Sequence, residues 1–206
     1  MLYVILLLMS TNKDLDTKII EAIERISRAQ KILLWDKAKL YGLTPLQTQI
    51  LMFIEESKPE NANITNLSLE LGVSQPTISD SVKSLINKGL IEATVWEKNR
   101  HFKILKLTDK GKEILKKLEN WNYYLKKPLM DMNEEEKVRV FDFLLKYVIA
   151  LRNDKTLYFV KACPLCRYFL EKNPNEYYCK LFNMDLKIKD LRINCPDFEE
   201  AIAVVK

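Results

Sequence analysis

A mainly helical fold with one small β-hairpin is what this sequence predicts, on three observations. Glycine is scarce, 4 in 206 residues, and long stretches lack proline, so helix breakers are few. Apolar residues recur at helical spacing through most of the chain. One stretch departs from this: Leu90 to Val95 and Lys103 to Leu107 are rich in β-branched and apolar residues, and the polar, basic run WEKNRHF lies between them, which reads as a hairpin.

The chain is organised around Ile64 to Thr108. Leu67, Leu69 and Leu71 belong to a short helix, and Gly72 stops it because glycine tolerates positive φ. Ser74 is a good N-cap for the next helix, and Pro76 sits in the first turn, where its missing N–H costs nothing. Ile78, Val82, Leu85 and Ile86 recur at helical spacing and mark the buried face, and Gly89 ends the helix. The opposite face carries Gln75, Thr77, Ser79, Asp80 and Lys83, short or flexible polar side chains such as a helix lying in a DNA groove requires. Two helices joined by a tight turn and followed by a basic hairpin make a winged helix.

LTPLQTQILMFI, then LGVSQPTISDSVKSLINKGLI, then the hairpin and LTDKGKEI, resemble the MarR family of transcriptional regulators. The resemblance covers Asp14 to Asn153. It lies in the order and spacing of the elements rather than in any single residue. It implies a sequence-specific DNA-binding regulator, a repressor, acting as a homodimer on double-stranded DNA. It also implies a wing arginine entering the minor groove, whose negative potential attracts it. Counted back from Leu107–Thr108, Lys98 takes the place of a common family arginine and Arg100 that of a second basic residue, with His101 and Lys103 beside them. Trp96 stands where many relatives have an aspartate that braces the wing, and Asp80 where many carry a basic residue. The expected DNA-binding residues are Ser74, Gln75, Pro76, Thr77, Ser79, Lys83, Lys98, Arg100 and Lys103. Gln75 can bond adenine in bidentate fashion and Thr77 can offer a methyl contact or a hydrogen bond. Ser74, Ser79 and Lys83 are expected at the backbone. The plainer role of Ser74 is to cap, which is compatible with touching DNA.

Before the core stretch, Asp14 to Tyr41 is expected as one long amphipathic helix, striped by Ile19, Ile20, Ile23, Ile26, Ile32, Leu33, Leu34 and Leu40. Thr44 caps and Pro45 opens the next helix, Leu46 to Glu56, with Lys58 to Asn63 a polar loop. After the wing, Thr108 caps a helix running to about Lys126, and Pro128 is expected to break or kink the pattern. Asn133 caps a last helix whose Glu134, Glu135 and Glu136 favour its dipole, and which should bury Val138, Phe141, Leu144, Leu145, Val148 and Ile149. These stripes exceed what a winged helix needs for its own core, and the surplus predicts dimerisation. Two recognition helices about one turn apart, ~34 Å, would suit a palindromic site.

The domain division that follows is an N-terminal dimerisation helix over 1–43, the winged helix-turn-helix over 44–108, C-terminal dimerisation helices over 109–155 and a cysteine-rich tail over 156–206. The net charge of +5 and a pI near 8.9 are mildly basic and compatible with nucleic acid. The apolar run MLYVILLLM is far short of the ~20 residues a membrane-spanning helix needs, and it lacks the basic start and cleavage site of a signal peptide. It reads as a buried interface segment or as an upstream start. No membrane partner and a cytoplasmic location are expected. The single histidine lies in the wing, and no Gly-rich phosphate loop appears, so an enzyme is not expected.

The tail changes character. All four cysteines of the chain fall there, Cys163, Cys166, Cys179 and Cys195, in the pattern C-x2-C-x12-C-x15-C. Two thiolates two residues apart can grip one ion, and the other two can close the site. Aromatic residues around them would pack a small core, and a segment this short gains from a metal staple. Zinc is the first choice, since four cysteines commonly hold structural zinc. An iron–sulfur cluster is the alternative, because the first pair lacks the glycines of a zinc knuckle and Pro196 follows Cys195. Zinc would be structural, whereas a cluster would sense a redox effector. Relatives often take small aromatic ligands in a cleft, which Trp35, Tyr41 and Trp121 could line here. Two further readings remain open: an ArsR-like metal sensor, whose recognition segment SQPTIS also resembles, and a winged-helix adaptor that docks proteins without binding DNA.

Overall fold

The structure, a computed structural model, describes residues 14–96, 99–157 and 160–201. The apolar N-terminal run and Lys98, expected on the wing, lie outside the described residues.

The helices are α1 (Leu15–Lys39), α2 (Pro45–Glu56), α3 (Ile64–Leu71), α4 (Gln75–Asn87), α5 (Asp109–Leu118), α6 (Tyr123–Met130) and α7 (Glu134–Asn153). Local chemistry sets most of their ends. Asp14, Thr44, Asn63, Ser74, Thr108 and Asn133 all cap helices by accepting a backbone N–H two or three positions into the first turn. Thr44 with Gln47, and Asn133 with Glu136, form reciprocal capping boxes. Gly72 closes α3 at φ 61°, and Gly89, at φ 69°, follows α4.

Strands β1 (Ile91–Trp96) and β2 (Asn99–Leu107) form the antiparallel hairpin. Ile91 pairs with Leu107 at the base and Val95 with Lys103, before the register shifts at Trp96, which pairs with Asn99. The strands therefore run further than the sequence suggests, and Arg100 and His101 lie within β2 rather than in the connecting loop. The loop before α3 is also more ordered than expected. It carries a 3-10 turn at Pro59–Asn61, and the Leu105 N–H donates to the Ala62 carbonyl at 2.7 Å, tying the loop to β2.

One core joins α2 to α5 with the hairpin. Ile50, Leu51, Leu67, Ile78, Leu85, Ile91 and Leu118 are almost wholly buried. α1 contributes little to it, since only Leu34 and Ala38 of its 25 residues are buried. A second, smaller cluster gathers Leu145 of α7 with Val160, Ala162, Leu186 and Leu191 of the tail. The tail itself carries a three-stranded antiparallel sheet of β3 (Phe169–Asn173), β4 (Glu176–Cys179) and β5 (Met184–Leu186) in that order.

Three expectations need correction. The helix after Thr108 stops at Leu118 and does not reach Lys126. The break falls at Asn120, in the left-handed region at φ 66°, and Pro128 sits inside α6. Only Leu145 of α7 is buried, while Leu144 is 41% exposed. In α4, Ile86 is likewise exposed, on the margin of the apolar stripe.

Candidate nucleic-acid interface and cysteine cavity

α4 packs Ile78, Val82 and Leu85 into the core and turns Gln75, Pro76, Thr77, Asp80 and Lys83 outward, with Ser79 half-buried. The burial pattern thus presents most of the polar side chains on one exposed face. At its start, Ser74 Oγ accepts the Thr77 N–H at 3.4 Å and shares a 2.8 Å hydrogen bond with Thr77 Oγ1. One hydroxyl pair therefore both caps the helix and orients Thr77. Lys83 pairs with Asp80 at 3.3 Å. Both side chains are well exposed, so the pair contributes little to stability and is easily exchanged for another partner. Lys103 is exposed on β2, and Arg100 lies in the same strand.

The helix is held from behind by residues that the sequence reading passed over. Gln47 of α2 is buried, and its Nε2 donates to Ser84 Oγ at 3.0 Å. Its Oε1 accepts from Lys88 Nζ at 2.9 Å, and the same ammonium donates to the Gly42 carbonyl at 2.7 Å. At the hairpin base, Gly111 lets α5 approach so closely that a Cβ there would stand 2.0 Å from the Leu90 carbonyl oxygen. A glycine inside a helix-favouring run, LTDKGKEI, was the one signal of that approach in the sequence.

Trp35, Tyr41 and Trp121 do not share a cleft. Trp121 lines an open cleft of about 630 Å³ with Met52, Glu56 and Lys112. Trp35 lines a different one, of about 560 Å³, with Ile32, Pro45 and Leu46. Tyr41 packs against the core and donates its hydroxyl to the Lys117 carbonyl at 3.4 Å.

The four cysteines come together. Residues 161–163 and 192–195 run side by side: the Cys163 N–H donates to the Arg192 carbonyl at 2.9 Å, and the Cys195 N–H to the Lys161 carbonyl at 3.0 Å. The Cys163–Leu165 turn returns to Cys166, whose N–H donates to the Cys163 carbonyl at 2.9 Å. β4 places Cys179 opposite Phe169. All four are free thiols and line one cavity of about 20 Å³. The Arg192 N–H donates to Cys163 Sγ at 3.3 Å. Burial pushes the Cys163 thiol up from its ordinary range, the Arg192 N–H opposes this, and the neighbouring cysteines add to it. The cysteines are gathered without forming a finished site: among the described residues no group of three or more Cys, His, Asp or Glu stands ready to hold a metal ion.

A helix-turn-helix with an exposed polar recognition face and a flanking hairpin defines a winged-helix protein. Residues 41–95, which span α2 to β1, match the model of the MarR family. The chain is 28% identical to the transcriptional regulator AdcR of Streptococcus pneumoniae over 102 residues, half of this chain and 68% of the relative. Among solved structures, a MarR protein from Peptoclostridium difficile is similar at a TM-score of 0.59 and 26% identity, covering 69% of this chain and 92% of that one. S. aureus MepR in complex with DNA is similar in fold at a TM-score of 0.56 and 20% identity, covering 63% and 94%. Over this segment the chain is similar to the MarR family, and its fold is similar to that of MarR proteins of known structure. Among the described residues, no helix is long and apolar enough to cross a membrane.

Proposed function

We propose that this chain is a MarR-type transcriptional regulator that binds double-stranded DNA as a homodimer on a palindromic site. The observation that carries the reading is the exposed polar face of α4, capped at Ser74 and held rigidly from behind by Gln47. A groove-reading helix needs such a face at a fixed angle. MepR, which shares the fold, is known in complex with DNA, and this supports carrying the activity over. Gln75 and Thr77 read base edges. Ser74, Ser79 and Lys83 contact phosphates, and Arg100 with Lys103 extends the contact along the wing. A dimer seated on a promoter acts most simply by excluding the polymerase, which is repression.

The homodimer is supported by α1, α6 and α7. Ile20, Ile26, Ile32 and Trp35 on α1 and Phe143 on α7 are all roughly half exposed, and Met130 on α6 is 69% exposed. An apolar helix face left in water is unfavourable by about 25 cal/mol per Å², and a second copy brings the same faces to cover it.

The test is fluorescence anisotropy with random-sequence duplex at low salt, together with the solution mass. Binding that weakens steeply as salt rises, by a chain of twice the monomer mass, is expected. A folded monomer, or a folded dimer that ignores duplex at low salt, would overturn the reading.

A further inference from the structure

The tail touches the winged helix through the residues that flank Cys195. Asn194 Nδ2 donates to Glu56 Oε2 at 3.1 Å, and Asp197 pairs with Lys58 at 3.8 Å. Glu56 is the last residue of α2, and Lys58 leads into the 3-10 turn whose Ala62 carbonyl is bonded to β2. On its other side the same tail packs on α7, through Leu145, Phe141, Val148 and Ile149, and Arg152 pairs with Glu200. The tail is therefore a brace between α7 and the base of the wing, and Cys195 lies within its contact segment.

That brace has little core of its own. Its cluster draws four buried apolar residues from the tail and one from α7. Units below about 70 residues bury little core and commonly add a disulfide, a metal or a partner to hold their shape. The tail carries no disulfide; its four thiols are free and face one cavity. At about 20 Å³ this cavity has room for one water-sized sphere. That is room for a lone ion held by thiolates. The N–H of Arg192 already donates to Cys163 Sγ, the kind of supporting bond that orients a metal's ligands.

We propose that Cys163, Cys166, Cys179 and Cys195 bind one tetrahedral divalent ion of the zinc class, and that the ion fixes the 194–197 segment against the end of α2. The sulfurs would close to ~2.3 Å from the ion, and each thiol that ligates gives its proton to solvent. Metal occupancy then sets how firmly the winged helix is tied to α7. Ion binding and the bracing of α2 need no DNA and are measured in its absence.

Metal content is measured on full-length protein purified anaerobically. Hydrogen exchange at residues 57–63 is then followed in the metal-stripped chain before and after one equivalent of zinc. One zinc per chain is expected, with cobalt substitution giving a tetrathiolate spectrum. Exchange at 57–63 should slow by about fivefold or more, the low end of ordinary coupling between sites. A Cys195→Ser chain should lose both effects. Because that variant could fail to fold, a second carries Asn194→Ala with Asp197→Ala; it should keep the ion and lose the slowing. No bound metal, with all four thiols equally reactive before and after zinc, would overturn the site. A brown protein holding iron and sulfide would overturn the lone ion. Equal slowing in the double variant would overturn the coupling.

Discussion

Gln47 and Ser84 are joined side chain to side chain, Nε2 to Oγ, at 3.0 Å across the interior of the winged helix. This bond links α2 to the back of α4, and the other end of the same amide holds Lys88 and the Thr44 backbone N–H. The angle at which the exposed polar side chains of α4 stand is set here, well behind the face itself. Gln47→Ala leaves a half-buried ammonium short of a partner and the α2 capping box broken. It should cost about 1–3 kcal/mol, read as a lower midpoint in urea unfolding. Ser84→Ala, which leaves Lys88 satisfied, should cost less. Equal costs would place the strength of the network at the hydroxyl rather than at the ammonium.

Gly111→Ala gives the opposite result from helix propensity. Alanine is the better helix former by about 1 kcal/mol, and Gly111 has an ordinary helical backbone, so propensity alone expects a gain. The new Cβ would instead lie 2.0 Å from the Leu90 carbonyl oxygen and 3.0 Å from its carbon. Those are backbone atoms at the root of the hairpin, where Thr108 N–H also bonds the same carbonyl at 3.1 Å. The substitution should destabilise by about 2 kcal/mol or more, seen as a lower melting temperature. A raised melting temperature would mean that α5 can slide away from the hairpin without cost.

The recognition helix was legible because its signals are local: Gly72, Ser74 and Pro76 each act within one turn. The cysteines were legible as a group from spacing alone, and the structure brings them to one cavity. The strands that bring them there were not, because β3 to β5 are short and largely exposed and carry no alternation to read. Asn120 ends α5 by adopting a positive φ, which a single asparagine in a polar run does not announce. The bond from Asn194 to Glu56 spans 138 residues. A polar pair at that separation leaves no periodic trace in either segment. Leu144 and Ile86 fall on the apolar stripes yet stay exposed, because a stripe marks a face, whereas the width of the buried part depends on what covers it.

Glu70 ties pH to stability where α3 meets the tail. Burial raises its carboxyl above the ordinary value of 4.5; Lys161 pulls it back, and Glu56 pushes it further up. The folded chain therefore holds this proton more tightly than the unfolded chain does. The stability it contributes is full below the ordinary carboxyl range and is lost as pH rises through the folded value. Glu70→Gln removes the cost of burying the charge. The variant should melt higher than the parent at pH 7 and show no such advantage near pH 4. An advantage of equal size at both pH values would trace the effect to packing rather than to ionisation.

The division of labour at the proposed DNA interface can be tested with two substitutions that should fail differently. Gln75 is exposed in the first turn of α4, where a side chain reaches base edges, and a bidentate contact there is worth about 1–3 kcal/mol of discrimination. Arg100 lies on β2 of the wing, where a cation meets backbone or minor groove and reads little sequence. With a site selected from a random duplex library, Gln75→Ala should weaken binding to that site and leave random duplex nearly untouched. Arg100→Ala should weaken both alike and reduce the slope of log affinity against log salt by about one. Ser74→Ala is the control for the cap. It removes the bond to Thr77 and should lower stability by about 1 kcal/mol, so its effect on binding must be read beside its melting curve. If Gln75→Ala weakens selected and random duplex equally, α4 enters the groove at another angle, and the reading side chain has to be sought at Thr77 or Ser79.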